Sequence, residues 1–116
     1  MVFSNADVIA ELTSKVNTAH GEVDDFMVKF KENPGHTLEW YEGIYKSEAV
    51  VRVFTSAIGD LMHDMSQAEV IRRYTSMLIE GASRIESQGS IGSRHADRAQ
   101  IAAYAELLKV FEYLAE

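Results

Sequence analysis

The chain contains no cysteine and a single proline among its 116 residues. Without cysteine there is no disulfide framework, no thiolate zinc site and no thiol nucleophile. That composition suits a reducing compartment, and the expected location is the cytoplasm. No run approaches the ~18 apolar residues of a membrane span. The opening Met1-Val2-Phe3-Ser4-Asn5-Ala6-Asp7 has no basic stretch followed by apolar residues, so it does not read as a secretory signal. Positive charge is also scarce, with 11 Lys and Arg against 18 Asp and Glu and a net charge of −7. An acidic surface repels phosphate backbones, which argues against nucleic acid and suits a basic protein partner. The length allows one domain, 1–116, and the 47% of hydrophobic residues supply a core without metal or disulfide.

Period-two alternation is missing too, and with it any strand signal. What is present is helical spacing. Ile9, Leu12, Val16, Ala19, Val23, Phe26 and Phe30 step by threes and fours, through Gly21, up to Asn33-Pro34-Gly35. This predicts a first helix over about 5–32, with Ser4 or Asn5 as N-cap and Asp7 near the positive end of the dipole. A second helix, about 37–65, carries Trp40, Ile44, Val51, Phe54, Ile58, Leu61 and Met65. Ser47 fills the missing seam position, and Ser47-Glu48 offers a possible kink. Ser66-Gln67-Ala68-Glu69 has capping-box spacing and opens a third helix, about 67–88, closed by Gly89. Ser93 is the expected N-cap of a fourth helix, about 94–115. Short turns and matched lengths predict an all-α, antiparallel up-down-up-down four-helix bundle.

The fourth helix is apolar over more than about 200° at ~100° per residue, wider than one core-facing stripe. Either it is a central helix, or its strip of Leu107, Val110 and Leu114, with Tyr113 at the rim, is covered by a second copy. The second reading is the expectation, and it makes the chain a homodimer. Tyr41 and Tyr45 project from the second helix and join the expected protein interface.

Chemistry is sparse. A di-iron bundle needs Glu-x-x-His pairs, and there are none; Asp60-x-x-His63 sits off the seam. Glu39-x-x-Glu42 is half of a magnesium motif, and the third helix supplies no partner. No metal, cofactor or catalytic residue is therefore assigned. Arg84, Arg94, His95 and Arg98 flank the break between the third and fourth helices, where free amides at a helix start can hold an anion. The same end carries Asp24, Asp25, Glu32, Glu39, Glu42, Glu86 and Asp97 and is acidic on balance. The expected function is a non-catalytic acidic interaction module: an adaptor, inhibitor or small chaperone-like bundle. The alternative is a small enzyme or ligand-binding bundle acting on a phosphorylated or nucleotide ligand at the end shared by the third and fourth helices.

Overall fold

A computed structural model describes residues 3–32, 35, 37–87 and 91–115. They form four helices: α1 (Asn5–Glu32), α2 (Thr37–Met62), α3 (Gln67–Ser87) and α4 (Ile91–Ala115). No strand occurs among the described residues. The fold is an all-α, antiparallel up-down-up-down bundle. Glu22 on α1 meets Ser47 on α2, Asp60 on α2 meets Tyr74 on α3, and Tyr74 meets Tyr104 on α4. Each helix thus runs antiparallel to the one before it.

Local chemistry sets the helix ends. Ser4 caps α1 reciprocally: its Oγ accepts from the Asp7 amide at 3.2 Å, and its own amide donates to Asp7 Oδ2 at 3.1 Å. At the start of α3 the Glu69 amide donates to Ser66 Oγ at 3.1 Å, and that hydroxyl donates to Glu69 Oε1 at 3.2 Å. Between them, α2 stops at Met62 and does not reach Met65. Asp64 adopts φ 65°, and the Met65 amide donates back to the Asp60 carbonyl at 3.1 Å. This is the left-handed helix terminator usually built on glycine, here built on aspartate. α4 begins at Ile91, so Ser93 lies inside its first turn instead of capping it. α2 runs unbroken through Ser47, whose buried hydroxyl donates to Glu22 Oε2 at 2.9 Å. The turn residues Asn33 and Pro34, and the expected terminator Gly89, lie outside the described residues.

The packing order differs from a square bundle. α1 packs on α2, α2 on α4 and α4 on α3, while α1 and α4 barely touch and α2 and α3 meet only sparingly. α2 and α4 therefore form the centre, with α1 and α3 on opposite flanks. This corrects the outer-strip reading of α4. Leu107 is 0% exposed and Leu114 9%, because α4 is covered on two sides by α2 and α3. Most of its wide apolar arc is used within the chain, while Val110 is only half-buried and Tyr113 stays exposed.

The seam of α1 shifts for the converse reason. Val8, Leu12 and Ala19 are buried, whereas Ile9, Val16, Val23, Phe26 and Phe30 are half-buried. A helix resting mainly on one neighbour buries a narrow line of its apolar stripe and leaves the flank open. The start of α1 is clasped nonetheless. Gln67 Nε2 donates to the Phe3 carbonyl at 2.7 Å and to Asn5 Oδ1 at 3.2 Å, and Asn5 Nδ2 donates to the Met65 carbonyl at 3.3 Å.

Candidate functional site: the groove between α1, α2 and α4

Where α1 leans away from α4, a groove of about 980 Å³ opens along the bundle. Its floor is apolar or small: Ala19, Phe26, Gly43, Ser47, Val50 and Phe54. Gly43 has a steric reason to be glycine. A Cβ there would lie 2.5 Å from Phe26 Cζ, so the tip of the Phe26 ring occupies the space any side chain would need. Ala19 and Ser47, small residues at seam positions, leave the rest of the hollow.

The rim is charged. The α1 wall carries Glu11, Lys15, Glu22, Asp25 and Lys29; the facing wall carries Lys46 from α2 and Glu106 and Lys109 from α4. Four carboxylates and four ammonium groups make this surface locally neutral in a chain of net charge −7. Four of the five lysines in the sequence stand here. Lys109 approaches Glu106 at 3.7 Å, an exposed pair of little energetic weight. Lys29 Nζ lies 5.9 Å from the centroid of the Phe26 ring. Among the described residues neither Lys15 nor Lys46 has an ion pair.

The expected interface residues divide. Val110 and Tyr113 line this groove, Tyr113 being 72% exposed, while Leu107 and Leu114 belong to the core. Tyr45 is exposed on α2, and the side chain of Tyr41 lies outside the described residues. Of the expected anion residues, the two with described side chains, Arg84 and Arg98, do not line one crevice. Arg84 lines a crevice of about 40 Å³ with Gly81, Asp97, Gln100, Ile101 and Tyr104. That is room for a few waters, and Asp97 brings a carboxylate to it. Arg98 is exposed and does not line the crevice; the side chains of Arg94 and His95 lie outside the described residues.

One part-buried polar network lies elsewhere, around the buried ring of Tyr74. The Tyr74 hydroxyl donates to Asp60 Oδ2 at 3.1 Å and lies 2.8 Å from Ser56 Oγ, and Arg73 Nη1 reaches Asp60 Oδ1 at 3.3 Å. Burial raises the Tyr74 hydroxyl above the ordinary tyrosine pKa, and the Asp60 carboxylate adds to the rise. The hydroxyl thus keeps its proton further into alkaline pH than a free tyrosine would, and it forms a hydrogen-bonded brace between α2 and α3. Among the described residues no three His, Asp or Glu are grouped to hold a metal ion, and no helix is long and apolar enough to cross a membrane.

Sequence spacing did not reveal the groove. Its signs were the small residues Ala19, Gly43 and Ser47 on facing helices, and lysines far apart in sequence. Neither points to a hollow until the α1–α2 register is known. No protein-family model matches this chain, and no curated protein or solved structure matches it.

Proposed function

We propose that the chain is a non-catalytic protein-interaction module whose contact surface is the groove between α1, α2 and α4. One observation carries this reading: an open hollow of about 980 Å³ with an apolar floor and a rim of both charge signs. Pockets for small molecules enclose most of their ligand. This hollow instead runs along the bundle, lined on α1 from Glu11 to Lys29, roughly 27 Å at ~1.5 Å per residue. Apolar floors with charged rims favour protein surfaces, where burial supplies affinity and the rim sets register. The absence of cysteine is our ground for placing the module in the cytoplasm.

Site-directed photo-crosslinking tests the reading. A photoreactive phenylalanine analogue replaces Tyr113 on the rim, or Ile79 on the exposed outer face of α3 as control. Protein adducts from position 113 and none from 79, with no thermal shift from nucleotides, inorganic phosphate or divalent metals, are the expected result. A clear shift with one of those small ligands and no protein adduct at 113 would replace the reading with a ligand-binding one.

A further inference from the structure

We infer that a second copy of this chain covers the groove, with its two-fold axis running along it. The inference rests on the groove being the contact surface and names the occupant. Charge is the first argument. Two copies of a −7 chain repel at most approaches, and repulsion within the ~8 Å screening length opposes any acidic face meeting itself. The groove is different because its rim carries four charges of each sign.

Symmetry makes that neutrality useful. A two-fold axis along the groove sets the α1 wall of one copy against the α2–α4 wall of the other. The α1 wall has three carboxylates and two lysines; the facing wall has two lysines and one carboxylate. The walls thus have opposite net sign, and the pairing is attractive on both sides of the axis. An axis across the groove would set each wall against itself and lose this match.

Apolar surface is the second argument. Tyr113, 72% exposed, and Val110 stand on the groove side of α4, above the apolar floor of Ala19, Val50 and Phe54. The face is about 27 Å long and roughly two helix diameters, about 20 Å, across. Paired along that length, each copy covers the floor and both charged rims of the other. Under this arrangement Tyr113 of each copy enters the other's hollow.

Light scattering of the purified full chain decides the matter, using two charge variants. Lys46→Glu with Lys109→Glu turns the α2–α4 wall negative; Glu11→Lys with Asp25→Lys turns the α1 wall positive and leaves the Glu22–Ser47 bond intact. The unmutated chain at ~100 μM should show twice 13.0 kDa. Each variant alone should be a helical monomer by circular dichroism, and mixing the two should restore the doubled mass. A monomeric unmutated chain overturns the inference, as does a dimer that survives in both variants unmixed. Crosslinking separates this failure from that of the broader reading. A monomer whose position 113 still captures a different protein sinks only the second copy; a monomer with no protein adduct sinks both.

Discussion

The tip of the Phe26 ring points at the Cα of Gly43, so close that a methyl group on Gly43 would meet three ring carbons between 2.5 and 2.8 Å away. Glycine inside a helix costs roughly 1 kcal/mol against alanine. Gly21, with nothing near its missing Cβ, should therefore return that amount on Gly21→Ala. Gly43→Ala should not, because the ring must swing into the groove. The gain should reappear once Phe26 is also alanine. A double-mutant cycle by urea denaturation should show a coupling of about 1 kcal/mol between positions 26 and 43. Equal stabilisation by both glycine replacements would mean the ring does not pack there.

Asp64 holds a backbone conformation that suits glycine better than any L residue. Asp64→Gly should raise stability by about 1 kcal/mol, seen as a higher urea midpoint at unchanged slope. Asp64→Ala keeps the strain and should not raise it.

Tyr74 links stability to alkaline pH. Its folded pKa is raised above the unfolded value of 10.0, first by burial and then by Asp60. A raised pKa means the folded state holds the proton more tightly. The stabilisation is complete below pH 10 and is lost as pH rises through the folded pKa. Tyr74→Phe should cost about 1 kcal/mol at pH 7 by removing a part-buried hydrogen bond. It should also flatten the loss of stability above pH 10. An unchanged alkaline limb would assign that loss to other groups.

Two neighbours on α4 should behave oppositely. Leu107 is fully buried, so Leu107→Ala should cost about 2–5 kcal/mol. Tyr113→Ala, measured at low micromolar concentration, should change stability by less than about 0.5 kcal/mol. Chemical denaturation of both variants checks the pair.

Four helices were legible in the spacing because each buried face repeats every three or four residues. The Ser66–Glu69 cap was legible because capping needs only local contacts. Helix neighbours were not. The width of an apolar arc says how much of α4 is covered but not by what, and its two readings differ only in whether α2 or a second chain lies there. The spacing puts Ile9 on the seam while Val8 is the fully buried residue, because a seam drawn through both halves of α1 assumes an evenly gripped helix. The groove was hidden for the same reason: apolar patterning encodes contact, and the α1–α4 gap is a contact that is missing.

That uneven grip gives α1 two halves with different lifetimes. The half before Ala19 is anchored by Val8, Leu12 and the Gln67 clasp; the half beyond it has only half-buried apolar residues, with Met27 and Val28 facing water. Local opening needs only the weaker contacts to break. Deuterium should enter the amides of residues 22–31 well before those of 8–18, and the helix should fray from Lys31 back toward Gly21 while the rest of the bundle stays closed.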